Sequence, residues 1–141
     1  MPRTSINAEM IDRVKSHEGF RTRAYKDTVG VLTVGYGTNL ESREFSLEEC
    51  EGWLMADLLS LEKQLEGIPA YCGLDGDGER QGVLIEMAYN LGFTGLMGFK
   101  LMWAAIGAYN FDQAAIEMVN SKWAEQVGQR AISLASIMIE G

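Results

Sequence analysis

Glu18, Asp27 and Thr33 have the residue types and spacing for acid-assisted displacement at an acetal carbon. One carboxyl would give a proton to the departing oxygen, while a second carboxylate and a hydroxyl would hold the attacking water. The stretch that carries them, His17 to Leu40, changes character twice. An amphipathic pattern stops at Glu18-Gly19, a polar turn runs from Lys26 to Gly30, and a β-rich run punctuated by glycine follows. Glu18 then sits at the last turn of a helix, Asp27 in a hairpin turn and Thr33 on the returning strand, so the three can converge on one cleft. The same residues have plainer uses: a Glu before a helix-ending Gly is usually solvated, and a turn Asp usually bonds its own backbone.

The elements that must position them can be read from periodicity. Ile6, Met10, Ile11 and Val14 recur at helical spacing, with Ser5 or Asn7 as N-cap and Gly19 as stop, which predicts about three turns. Ala24-Tyr25, Val31 to Val34 and a weaker piece near Leu40 are β-formers separated by Gly30, Gly35 and Gly37, which predicts a small antiparallel sheet. So few short strands need helices to cover one face. Ser46-Leu47-Glu48-Glu49 reads as a capping box. Leu47, Cys50, Leu54, Leu58, Leu61 and Leu65 then form a helical stripe, expected to pack in a core, until Gly67-Ile68-Pro69 stops it. Further stripes run from Val83 to Leu91, Leu96 to Ile106, Phe111 to Val119 and Ile132 to Ile139, with Met and Trp as core fillers. The fold class expected is α+β, one domain of two lobes. A β-rich lobe covers about 19–46, a long connecting helix 47–66, and a mainly helical lobe 67–141 together with the N-terminal helix.

Composition bounds the function. A chain of 141 residues with 47% hydrophobic content can bury a core without disulfides. Cys50 and Cys72 offer a single pairing and are read as reduced, small apolar side chains. No apolar run is long enough to span a membrane, and Met1-Pro2-Arg3-Thr4-Ser5 does not read as an export signal. Twenty acidic against twelve basic residues, net −8, argue against nucleic acid as partner. The same charge suits any anionic surface poorly, so recognition of one would have to be local. Asp75, Asp77, Glu79 and Glu86 fall at calcium-loop positions, but Arg80 stands where the loop's sharp-turn glycine belongs. These acids are better read as favouring a helix N-terminus, and no metal or cofactor is expected.

Glu18-Gly19 followed by Arg21, the Tyr25-Lys26-Asp27-Thr28 turn and Thr33-Val34-Gly35-Tyr36-Gly37 closely resemble the catalytic stretch of the phage lysozymes of glycoside hydrolase family 24, the T-even phage kind. The spacing of Glu18, Asp27 and Thr33 matches without a gap. Asn90-Leu91-Gly92, Thr94-Gly95, Gly98-Phe99 and Trp123 before Arg130 follow in the order expected, so the resemblance covers nearly the whole chain. It implies hydrolysis of the β-1,4 bond between N-acetylmuramic acid and N-acetylglucosamine, with inversion. Glu18 would be the acid, Asp27 and Thr33 would position water on the opposite face of the sugar, and Arg130 would pair with Glu18. Gly37, Asn39, Tyr89 and Asn90 are the implied substrate-binding residues, although Asn90 also suits a cap before Gly92. An Arg beside the acid favours its ionised form, and desolvation by apolar neighbours or displacement by bound sugar would have to offset this.

The chain departs from the pattern in places. Many relatives carry a Pro and a further Arg near the late position, where this chain has Val127-Gly128-Gln129-Arg130-Ala131-Ile132. The T-even enzyme has a carboxylate where His17 stands and a His where Thr38 stands; His17 is assigned no catalytic role. Two competing readings are a lytic transglycosylase, which uses one Glu and no positioned water, and a non-catalytic wall-binding or virion protein on the same fold. The expected partner is the peptidoglycan glycan strand, met by a monomer that does not insert in membranes. Synthesis in the host cytoplasm is expected, with release through a membrane opening made by another protein; virion association is the alternative.

Overall fold

The computed structural model describes residues 5–141, so the reading of Met1 to Thr4 as lacking an export signal lies outside the described residues. The chain divides into two compact units, 1–47 and 48–141.

The first unit opens with helix α1 (Ala8–Glu18). Of the two cap candidates Asn7 is used: its side-chain oxygen accepts from the Met10 N–H at 2.8 Å. Gly19, at φ 73°, ends the helix and donates its N–H to Lys15 O. Three antiparallel strands follow, β1 (Arg21–Lys26), β2 (Leu32–Gly35) and β3 (Thr38–Asn39), in the order β1-β2-β3. Tyr25 faces Thr33 across the first pair and Thr33 faces Asn39 across the second. The central position makes Thr33 the one buried residue among those described in this unit, at 5% exposure. The helix expected with the helical lobe thus falls in the unit that holds the sheet, where Glu18 lies against Gly37 and Lys15 over Tyr36. Of the apolar stripe read from the sequence, Ile6 lies ahead of the helix and Met10, Ile11 and Val14 lie on it, and all four are exposed.

The second unit is helical. Helix α2 (Leu47–Leu65) spans the stretch the capping box announced. Its leucine stripe is not the core ridge expected: Leu65 is fully buried and Leu58 and Leu61 are half-buried, but Leu47, Cys50 and Leu54 are exposed. The core is built by later helices, and α2 meets it only over its last turns. Next come α3 (Pro69–Cys72), α4 (Gly78–Leu91), α5 (Phe93–Met97), α6 (Lys100–Gly107), α7 (Phe111–Val119), α8 (Lys122–Val127) and α9 (Gln129–Glu140). The stripe from Leu96 to Ile106 is two helices, because the chain breaks at Gly98-Phe99. Met87, Met102, Met118 and Met138 are fully buried among Leu65, Leu84, Leu96 and Ile106, the filler role expected of methionine, while Met55 is exposed. Asp77 caps α4, accepting from the Arg80 N–H at 3.2 Å, so the acids of the abortive calcium loop serve a helix start. Both thiols are free and exposed rather than tucked away as apolar filler; Cys72 Sγ lies 3.0 Å from Glu66 O. Burial, with Glu62 and Glu66 beside it, pushes the Tyr71 phenol above its ordinary range. Among the described residues no helix is long and apolar enough to cross a membrane.

Candidate active site

Glu18 is the last residue of α1, and the left-handed Gly19 turns the chain away immediately after it. The freed carboxylate settles over Gly37: a Cβ built there would lie 2.8 Å from Glu18 Oε2. Gly37 is also at φ 83°, so both its backbone and its bare face are required. The residues flanking these two reinforce the approach, since the Phe20 and Tyr36 rings stack at 5.0 Å between centroids. The Lys15 ammonium lies 5.6 Å above the Tyr36 ring.

Asp27 does the work a turn aspartate ordinarily does, but with one oxygen. Its Oδ1 accepts from the N–H groups of Val29 and Val31, each at 2.9 Å, while its own N–H donates to Val31 O and its carbonyl accepts from Gly30. Oδ2 has no hydrogen bond among the described residues and remains an acceptor. The Thr33 hydroxyl donates to Val31 O at 2.9 Å, which fixes its rotor and leaves the oxygen lone pairs as acceptors. The Val31 residue therefore ties both groups together, giving its N–H to Asp27 and its carbonyl to Thr33. Asn39 closes the turn after β3, its Oδ1 accepting from Glu41 and Ser42 N–H at 2.8 and 3.0 Å.

The remaining candidates lie in the second unit. Glu86 and Asn90 are one turn apart on α4, so both face the same neighbours. Arg130, in the first turn of α9, donates from Nε to Glu86 Oε2 at 2.9 Å. Asn90 Oδ1 accepts the indole N–H of Trp123 on α8 at 2.8 Å, and Trp123 is buried, with Phe99 edge-on at 6.2 Å. Tyr89, Glu86 and Arg130 line a largely apolar cavity of about 560 Å³ together with Leu54, Leu58 and Ile85. The partner expected for Arg130 is Glu18, whereas the carboxylate it meets here is Glu86, and the sequence does not announce the pairing of Asn90 with Trp123. The Glu86 and Asn90 spacing on one helix face was the signal that could have found them.

The profile of the phage lysozyme family matches residues 15–136. Among curated relatives, "Probable T4-type lysozyme 1" of Dictyostelium discoideum is 27% identical over 158 aligned positions, covering 92% of this chain and 93% of that protein. "Endolysin" of Bacillus phage B103 is 29% identical over 89% of this chain. "SAR-endolysin" of Bacteriophage PS119 is 34% identical over 53% of it. These two matches span 48% and 46% of the phage proteins, about half their length. The match runs from just ahead of Glu18 past Arg130 and takes in both units, with their three-stranded antiparallel sheet and mainly helical remainder. The chain is a lysozyme-like α+β protein and belongs to the phage lysozyme family.

Proposed function

We propose that this protein is a muramidase, hydrolysing the β-1,4 bond between N-acetylmuramic acid and N-acetylglucosamine with inversion. The coarse activity, lysis of peptidoglycan by a lysozyme, comes with family membership. The finer reading rests above all on one observation. A carboxyl, Glu18, is held at a helix end over Gly37, in the same unit as an aspartate with one oxygen tied down and the other open. Glu18 protonates the glycosidic oxygen. The open Asp27 Oδ2 takes a proton from water while the Thr33 oxygen, its own proton committed to Val31, accepts the other water hydrogen. The C1–O bond breaks as the water oxygen bonds to C1 from the opposite face, and Asp27 ends protonated.

Supporting roles are assigned to the remaining candidates. Gly37 and Asn39 shape the β3 side of the site, Gly37 by admitting the acid and Asn39 by fixing the turn beyond it. Tyr89 and Asn90 supply sugar contacts from the helical unit, with the Asn90 amide nitrogen as donor because its oxygen is held by Trp123. Arg130 acts in support of the site, orienting Glu86 as it does so. The enzyme works as a monomer without a cofactor on glycan strands. It reaches them from the host cytoplasm through an opening made by a membrane-permeabilising protein. Proton NMR of the first product formed from soluble glycan strands tests the chemistry. An α-configured reducing end is expected, whereas an initial β product points to a retaining route and an anhydro-muramic end to a transglycosylase.

A further inference from the structure

The net charge of −8 is unevenly spread. Residues 1–47 hold 7 of the 12 Lys and Arg but only 6 of the 20 Asp and Glu, while residues 48–141 hold 5 and 14. Strand β1 carries Arg21, Arg23 and Lys26 and no acid; all three are exposed, and β1 is an outer strand of its sheet. None of the three forms an ion pair among the described residues. Aromatic rings are interleaved with them. The Arg21 guanidinium lies 4.7 Å from the Tyr25 ring centre, and at the end of α1 Lys15 lies over Tyr36, against which exposed Phe20 stacks. The nearest carboxylates along the chain are engaged elsewhere, Glu18 over Gly37 and Asp27 with two amides.

We infer that the β1 face of the first unit docks a wall-attached polyanion in which phosphodiesters link sugar or polyol units. This rests on the peptidoglycan reading above. Guanidinium forks pair with phosphate oxygens in bidentate fashion, and rings beside them receive the apolar faces of sugar or polyol units. With a Debye length of about 8 Å at physiological salt, contact is decided by charges at the touching surface rather than by the net charge. A protein otherwise repelled by an anionic wall therefore gains its hold where the sign is locally positive. Charge complementarity selects the polyanion over a second copy of the chain. Copies of net charge −8 repel, and a basic face meeting an acidic unit head to tail forms a discrete assembly only where its rotation closes a ring.

The test uses sacculi from a wall rich in polyol-phosphate chains, and the same sacculi stripped of phosphodiesters with hydrofluoric acid. Retention of the Glu18→Gln protein, which leaves the sacculi undigested, is measured by co-sedimentation. Retention about tenfold stronger on untreated sacculi, falling with added salt, is expected. Adding Arg21→Glu and Arg23→Glu should bring it to the stripped level, while Arg21→Lys with Arg23→Lys, which keeps the charge and loses the fork, should fall between the two. Equal retention on both preparations, unchanged retention of the Glu pair, or salt-sensitive self-association in place of binding would each overturn the inference. Hydrolysis is read separately, as reducing ends released from stripped sacculi by the unsubstituted chain and by the Arg21→Glu, Arg23→Glu protein, which should match. Loss of that signal in the unsubstituted chain strikes at the muramidase reading and leaves the binding comparison standing.

Discussion

Replacing Gly37 and replacing Glu18 are expected to fail in different ways, and the difference would separate chemistry from positioning. Glu18→Gln keeps the shape and removes the transferable proton. A rate loss of about 10²-fold or more is expected, with the melting temperature nearly unchanged, since general acid catalysis is worth roughly 10² to 10⁴. Retained lysis in an initial-rate assay would take Glu18 out of the mechanism. Gly37→Ala leaves every titrating group in place. It forces an L side chain into the left-handed region, at a cost of about 1–2 kcal/mol, and sets a methyl where the Glu18 carboxylate now lies. Lower thermal stability and a rate reduced by as much as about 10²-fold are expected together, because a displacement of about an ångström can cost that much. A variant that melts earlier yet retains full activity would mean that the contact with Gly37 does not position the acid. Asp27 belongs to the same argument: its turn-forming role was legible because such a turn calls for a short carboxylate, and the water-holding role proposed above calls for the same side chain. Which oxygen serves which was not legible.

At the scale of elements, the second unit is fastened at its chain end by one side chain. Arg80, near the start of α4, donates from Nε to Met138 O at 2.7 Å and from a terminal nitrogen to Ile139 O at 2.8 Å, capping the last turn of α9. Its other terminal nitrogen pairs with Asp77 at 2.8 Å, and its plane lies 3.6 Å from the Phe111 ring centre. Carbonyls at a helix C-terminus have no partners within their own helix, so a cation there is doubly favourable. Arg80→Ala should cost roughly 2–3 kcal/mol, the scale of charge-assisted bonds left unmade at a part-buried site. Amide exchange in the last turn of α9 should quicken more than in α6. Uniform exchange across the unit would show that the clamp is not local. The contrasting pair, Arg130 with Glu86, is well exposed on both sides and is expected to contribute under about 1 kcal/mol.

For the whole molecule, the expected outcome of expressing the chain alone in a bacterial host is accumulation without lysis. Adding a membrane-permeabilising protein should then bring lysis within minutes of its action, read as culture turbidity. Lysis without that partner would sink the release route proposed above. What the sequence determined by itself about this protein is what depends on neighbours along the chain. Helix α1 and its Asn7 and Gly19 caps, the hairpin around Asp27, the start and stop of α2 and the Asp77 helix start all follow from local hydrogen bonding and φ preference, which a few residues settle. The order of Glu18, Asp27 and Thr33 belongs here too, and so does the family. Tertiary structure alone decided which stripes were core and which polar groups met. The leucines of α2 have the periodicity of a buried ridge, yet only Leu65 is fully covered, because burial depends on what arrives from elsewhere in the chain. Helix α8 is too short for its pattern to register, and it delivers Trp123 to Asn90 only because α4 lies beside it. Glu18 over Gly37 and Arg130 on Glu86 are likewise contacts across 19 and 44 positions of sequence, made when packed elements cancel the entropy of the chain between them.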